Sequence, residues 1–198
     1  MSDYDAIYRA GPPPWDIGVP QPAIAAVLDD RVRGPKVLDI GCGTGTLAID
    51  LARRGYEVTA VDISGVAIDE ARSRAAAAGV TVHFGVQDAT ALDLPSAPFD
   101  SVFDSGLLHS LNRHGGSEVD DYLAQLPDLA APGATVFVLA VSLEPGQVWG
   151  VTEEFLRASF AEPVWTGTAI EKIEISAVAD GEQLRLPGFL LRSVRNPG

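Results

Sequence analysis

Apolar and polar positions alternate along this chain in a way that separates strands from helices. Val37, Leu38 and Ile40 form an apolar run too short for a helix, closed in by Pro35 and Gly41, which reads as a buried parallel strand. A helix follows from Thr46 or Leu47 to Arg54, stopped by Gly55. A second strand over 57–61 ends in Asp62. Ser64 caps an Ala-rich helix that runs to Ala78 and stops at Gly79, and 80–84 reads as strand three. Residues 99–103 read as strand four, and Ser117 with Asp120 marks a helix running to about Ala130, followed by a Pro132-Gly133 turn. The segment 134–141 is apolar throughout, as a central strand should be. Thr152, followed by Glu153 and Glu154, caps a helix to Phe160. Residues 170–178 alternate Ile173, Ile175 and Ala177 with Glu174 and Ser176, a strand with one wetter face. An Asp180-Gly181 turn and Pro187-Gly188 lead to the last strand, 189–194.

Ahead of this pattern, Pro22 opens a helix with Ile24, Val27 and Leu28 on one side. Residues 1–22 read as loop, with five prolines and two glycines, and Pro12 to Pro14 extended. Yet they carry Tyr4, Tyr8 and Trp15, large rings with a polar handle. The segment is either a tail or a lid over a site, and the rings favour a lid.

Strands alternating with helices, then two strands with no helix between them, predict an α/β fold. It is a doubly wound, seven-stranded, mostly parallel sheet with helices on both faces and a C-terminal antiparallel hairpin. In such sheets ligands bind beyond the carboxyl ends of the strands, at the switch point beside strand one. The residues at those ends are 39–45, Asp62, Asp88 and 104–109.

Composition narrows the partners. With 198 residues the chain is one domain, the first 22 as lid and 35–198 as core. The formal charge of −13, without a cluster of Lys and Arg, disfavours nucleic acid as a partner. No apolar run is long enough for a bilayer and no signal peptide is evident, so a cytoplasmic location and no membrane partner are expected. One cysteine, Cys42, leaves no intrachain disulfide, and no His/carboxylate cluster has metal-ligand spacing, so no metal is expected. A monomer or weak dimer is the expected state.

The chemistry gathers on KVLDIGCGTGT, residues 36–46. Gly41, Gly43 and Gly45 stand on alternate positions, where the lack of a Cβ lets backbone approach a ligand. Dinucleotide enzymes use G-x-G-x-x-G, but position 46 here is Thr. Asp39, two residues before the loop, would repel a pyrophosphate and suits a cationic, amino-acid-bearing ligand. Asp62 can accept from both hydroxyls of a ribose, and Ile63 beside it can pack on an adenine. Asp88 either bonds the adenine amine or makes an Asx turn. Cys42 fills space near the ligand rather than acting as a nucleophile. His109 is either a general base for a phenol or acidic ring N–H, or a structural group bonding backbone. His114 reads as surface and His83 as structural.

The loop in the form D-x-G-x-G-x-G resembles motif I of the class I S-adenosylmethionine (SAM) dependent methyltransferases. The runs RAGPPPWDIGVPQPAI, DSGLLHSL and VTEEFLRASF are similar to one small-molecule branch of them, with thiopurine, thiol/halide, tellurite-resistance and heterocyclic-toxin methyltransferases. APGAT departs from that pattern, which usually has a basic residue and a second glycine there. The resemblance implies a Rossmann-like core with SAM as cofactor and S-adenosylhomocysteine (SAH) as product. It implies that Trp15 and Gly18 touch or close over the SAM carboxylate, and that Gly41, Gly43, Asp62, Ile63, Asp88, Ala89 and Ser105 line the cofactor, beside Asp39 and Cys42. The family's acceptor-facing residues vary too much to carry over; from the residues themselves, the rings Tyr4, Tyr8 and Trp15 and the His109 after strand four would face the acceptor. The expected reaction is methyl transfer to an O, N or S atom of a small aromatic or heterocyclic molecule. The alternatives are a thiol/halide or metalloid methyltransferase, a SAM-binding protein without turnover, and, disfavoured by Thr46 and Asp39, a dehydrogenase.

Overall fold

The computed structural model describes residues 3–112, 117–145 and 149–198. Seven strands form one sheet in the order β3-β2-β1-β4-β5-β7-β6. These are β1 (Lys36–Ile40), β2 (Glu57–Asp62), β3 (His83–Val86), β4 (Phe99–Ser105), β5 (Ala130–Val141), β6 (Trp165–Ala179) and β7 (Glu182–Arg195). The first five pair in parallel, and β7 runs antiparallel to both β5 and β6. This is the predicted α/β sheet with its C-terminal hairpin. β1 stands at the switch point, between β2 and β4.

Alternation along the strands builds two cores. On β5, Val136, Val138 and Ala140 join the cluster on one face, with α6 (Glu118–Leu129) and α7 (Glu153–Ser159). Phe137, Leu139 and Val141 join the other, with α2 (Pro22–Ala25) and α3 (Thr46–Arg53). Phe103 and Phe137 stack at 4.7 Å within it. A strand buried on both faces must be apolar at every position, which is why 134–141 carries no polar side chain but Thr135.

Two of the three side-chain cap signals hold, while at α6 the Ser117 hydroxyl turns to Asp121 and caps no amide. Ser64 accepts from the Ala67 amide at the start of α4 (Gly65–Ala78), and Gly79 ends it with φ 67. Thr152 accepts from the Phe155 amide to start α7. Four further expectations shift. The N-terminal segment begins with a helix, α1 (Asp3–Ala10), where loop was expected; Asp3 and Asp5 in its first turn and Arg9 in its last favour it. Strand three starts at His83 rather than 80, because the Val80 amide is spent on the Ala75 carbonyl in closing α4. Pro132-Gly133 is an irregularity inside β5, where the register against β4 jumps between Phe99 and Ser101, not a turn ahead of it. Pro187-Gly188 likewise lies inside β7. Register pairing with β5 ends at Val141–Gly188, and just beyond it the Pro187 carbonyl accepts from the Ser142 amide at 2.9 Å, so the proline sits at the end of that ladder. At Gly188 a Cβ would meet the Ala140 carbonyl at 2.8 Å, so the close strand approach demands glycine. Among the described residues no helix is long and apolar enough to cross a membrane.

Candidate functional site

The carboxyl ends of β1 and β4, with α1 and the strap that joins it to α2, enclose a cleft of about 80 Å³, and Asp62 at the end of β2 stands just outside its walls. Its walls include Tyr8, Trp15, Ile17, Asp39, Gly41, Cys42, Gly43, Thr44 and Ser105. A larger hollow of about 240 Å³ lies between α7 and the start of β6. That is the end of the sheet from which β5 starts, away from the strand ends where α/β sheets bind ligands, and no candidate residue reaches it.

All three loop glycines have positive φ, between 54° and 79°. Their crowding differs. A Cβ on Gly41 would press on Leu107 at 3.0 Å, and one on Gly45 on Ala71 and Phe84 at 2.9 Å, so these two let the loop pack. At Gly43 the neighbour is the Tyr8 hydroxyl, at 2.8 Å from the built Cβ, on the cleft side. Gly43 is the cradle.

Asp39, the penultimate residue of β1, is 1% exposed, and neither carboxylate oxygen has a hydrogen-bond partner. Burial pushes its pKa up to about 7, and the nearby Asp62 and Asp104 add to this; the Ala48 amide, close by but short of hydrogen-bond geometry, opposes only in part. A buried carboxylate without donors is costly, and a cationic group in the cleft would relieve it. Asp62 is organised differently. Its Oδ2 accepts from the Gly43 amide and its Oδ1 from the Ser64 amide, both at 2.8 Å. Burial raises its pKa and those amides pull it back. Asp62 therefore shapes the glycine loop while keeping lone pairs for a ligand.

Ile63 is exposed at 43% and Val86, at the end of the adjacent β3, at 53%. Asp88 makes the Asx turn: its Oδ1 accepts from the Thr90 amide at 2.9 Å and the Thr90 hydroxyl at 2.7 Å. No bond to its Oδ2 is made among the described residues. Ala89 packs on the core beside it. Gly18 has φ 76 and donates its amide to Asp16, and it stands outside the cleft walls. Trp15 is 45% exposed and meets Tyr4 and Tyr8 edge-on, each at 6.5 Å. Burial and the nearby Asp62 raise the Tyr8 phenol. Burial, with Asp39 and Asp62, keeps the Cys42 thiol protonated, which suits packing and not nucleophilic attack.

Asp104 ends β4, wholly buried, and accepts from the Gly106, Leu107 and Leu108 amides and from the Tyr122 hydroxyl at 2.9 Å. It starts α5 (Leu107–Asn112), which carries His109. The Val141 amide donates to His109 Nδ1 at 3.3 Å, and Trp149 lies 5.5 Å from the ring. His114 falls outside the described residues. Sequence reasoning missed Asp16, Thr44 and Arg74, which are joined across the cleft, and Asp5, which accepts from the Ser64 hydroxyl at 2.7 Å. Their signal was slight: the acid in PWDIG, set beside a ring already suspected.

A family profile described as a methyltransferase domain matches residues 37–133. The chain is 34% identical over 183 residues to the 2-heptyl-1-hydroxyquinolin-4(1H)-one methyltransferase of Mycobacteroides abscessus, covering 88% of this chain and 78% of that one. A solved structure from work on converting a disulfide bond into a thioacetal group during echinomycin biosynthesis superposes with TM-score 0.85. It is 33% identical and covers 98% of this chain and 92% of that one. The 1,6-didemethyltoxoflavin N1-methyltransferase of Burkholderia thailandensis shares the fold at TM-score 0.67 and 22% identity, over 88% of this chain and 77% of that one. With the glycine loop, Asp39 and Asp62 standing at the ends of adjacent strands, the chain belongs to the class I SAM-dependent methyltransferases.

Proposed function

We propose that this enzyme methylates an O, N or S atom of a small aromatic or heterocyclic molecule, using SAM held in the cleft at the end of β1. The carrying observation is the pairing of an orphaned, buried Asp39 carboxylate with the Gly43 cradle on one cleft. A ligand with an ammonium group supplies the charge Asp39 lacks. The remaining lone pairs of Asp62 suit the ribose hydroxyls, and Ile63 with Val86 offers an apolar seat for the adenine, with Asp88 Oδ2 beside it. Gly41, Cys42 and Ser105 complete the walls, and Ala89 backs Asp88. Trp15 closes the mouth, with Gly18 shaping the strap behind it.

Bound SAM supplies a methyl group already activated on a sulfonium sulfur. The protein's share is to align the acceptor and exclude water, which accounts for most of the acceleration in such transfers. Tyr4 and Tyr8 of α1 do this as a lid closing against Trp15, and an aromatic face also suits a sulfonium. At about 80 Å³ the cleft is far below the roughly 300–1,000 Å³ of ligand pockets, so Tyr8 must withdraw to admit SAM and then close over it.

Two observations support a small, uncharged or weakly acidic acceptor. The cleft walls hold acids and no Lys or Arg among the described residues, and the whole chain carries −13. The hydroxyquinolone named for the relative fits that class. Calorimetry should show heat from SAH and none from NAD. Mass spectrometry of hydroxylated heterocycles and thiols incubated with SAM should show a gain of one methyl on the heterocycles. Binding of NAD without SAH would overturn the cofactor reading, and methylation of thiols or halides alone would overturn the acceptor reading.

A further inference from the structure

The strap between α1 and α2 is tied down at more points than a lid requires. The Pro14 carbonyl accepts from the Val178 amide at 2.7 Å. The buried Gln21 side chain donates to the Ser176 carbonyl at 2.8 Å and accepts from the Ser176 amide at 2.9 Å. Both partners lie on β6, the edge strand, so the strap occupies bonds that a further strand would take.

Between these ties lies Asp16, its side chain 8% exposed. Its Oδ2 accepts from the Thr44 hydroxyl at 2.7 Å and from Arg74 Nη1 at 3.3 Å, and its Oδ1 from the Gly18 amide at 3.2 Å. Arg74 Nη1 also donates to the Thr44 hydroxyl at 2.8 Å. The hydroxyl thus accepts from Arg74 and donates to Asp16, with one proton and no conflict. Three donors match a nearly buried carboxylate, which would be costly without them.

The network joins parts that a purely structural bond would have no reason to join. Trp15 and Ile17, on either side of Asp16, line the cleft, and Thr44 stands between Gly43 and Gly45 in the loop. Asp16 to Thr44 is a tie between the two walls a ligand must sit between. Arg74 anchors that tie to α4, which Glu70 steadies through a 2.9 Å bond to Arg74 Nε.

Resting on the reading of this cleft as the SAM site, we propose that Asp16, Thr44 and Arg74 are positioning residues that hold the strap in its ligand-binding place before SAM arrives. Trp15 and Ile17 are then a preset wall, and the cost of ordering them is met in folding rather than in binding. The moving part is α1 alone.

The test compares wild type with Asp16→Asn, Arg74→Met, Arg74→Lys and Glu70→Gln, using SAH as the probe. Asp16→Asn and Arg74→Met should each weaken SAH roughly 10- to 30-fold, as expected for breaking a buried charged hydrogen bond. Arg74→Lys should recover most of the loss, and Glu70→Gln should stay within about twofold, since it breaks only an exposed pair. KM for SAM should rise in parallel while kcat at saturating SAM changes little. Without ligand, amides of residues 13–19 should exchange faster in Asp16→Asn and Arg74→Met while those of β1 and β4 do not. Wild-type affinity in both variants would overturn the proposal. So would faster exchange across the whole sheet, which marks a general loss of fold. Failure of wild type itself to bind SAH would remove the SAM reading beneath it, an outcome distinct from failure of the variants alone.

Discussion

The protonation of His109 is set by the backbone it packs against. Because the Val141 amide donates to Nδ1, the neutral ring carries its proton on Nε2. To act as a base through Nε2 the ring would have to move that proton to Nδ1, against an N–H already pointing there. That tautomer makes Nε2 a donor, which suits orienting an acceptor and not deprotonating it. His109→Ala should lower kcat on hydroxylated and thiol acceptors alike, by less than about tenfold. A loss of 10²-fold or more confined to hydroxylated acceptors would restore it as the general base. Residues of this kind mark where sequence reading stops. Asp39, Gly43 and Asp62 were legible because their placement follows from strand ends and one loop, all local features. The tautomer of His109 depends on Val141, 32 positions away, and the Arg74–Asp16 pair spans 58. No period or spacing carries such a contact.

At the level of elements, the N-terminal region is two devices rather than one lid. Helix α1 rests on the N-terminus of α4, where Asp5 accepts from the Ser64 hydroxyl, and its Tyr8 lies over Gly43. The strap behind it is stapled to β6 and to α4. The sequence showed both as loop because proline and glycine dominate 11–22, and the helix ahead of them is one short, polar stretch. Its acids and arginine were visible, but the prolines outweighed them. The division is testable by truncation. Removing residues 1–10 should leave Tm within about 3 °C, because α1 adds little buried apolar surface. It should speed both SAH association and release, with release gaining more, so that affinity falls roughly 5- to 10-fold. Stopped-flow fluorescence of Trp15, which Tyr4 and Tyr8 flank, would follow this directly. Removing residues 1–21 also deletes the buried Gln21 and bares the β6 edge. Tm should then drop by more than about 5 °C and aggregation should rise. Equal melting of the two truncations would show that the strap is no part of the fold.

The whole molecule carries the cost of its binding site as a dependence of stability on pH. The seven-stranded sheet was readable because its central strands β1 and β5 are nearly continuous apolar runs, and the same burial leaves Asp39 without a donor. Its pKa is raised from 3.8 to about 7 in the folded chain. A raised carboxyl means that the folded state keeps a proton the unfolded state has released. The stability this contributes is complete below pH 3.8 and is lost as pH rises to about 7, after which the profile is flat. Asp104 is raised to about 7 as well, by burial that outweighs the Tyr122 hydroxyl and the three backbone amides, and it adds to the same fall. The ligand-free protein should therefore lose on the order of 1–2 kcal/mol between pH 5.5 and 7.5, or roughly 3–6 °C in Tm. General repulsion in a chain of charge −13 acts in the same direction, but 0.5 M salt screens it and leaves a buried group largely untouched. Asp39→Asn should remove the Asp39 share of the salt-resistant slope and raise Tm at pH 7.5, while weakening SAH. Saturating SAH should flatten the wild-type profile in the same way, because its ammonium gives the Asp39 anion a partner. Melting curves from pH 5 to 8, with and without SAH and at two salt concentrations, separate these contributions. A wild-type profile that SAH shifts upward without changing its slope would place the ammonium somewhere other than Asp39.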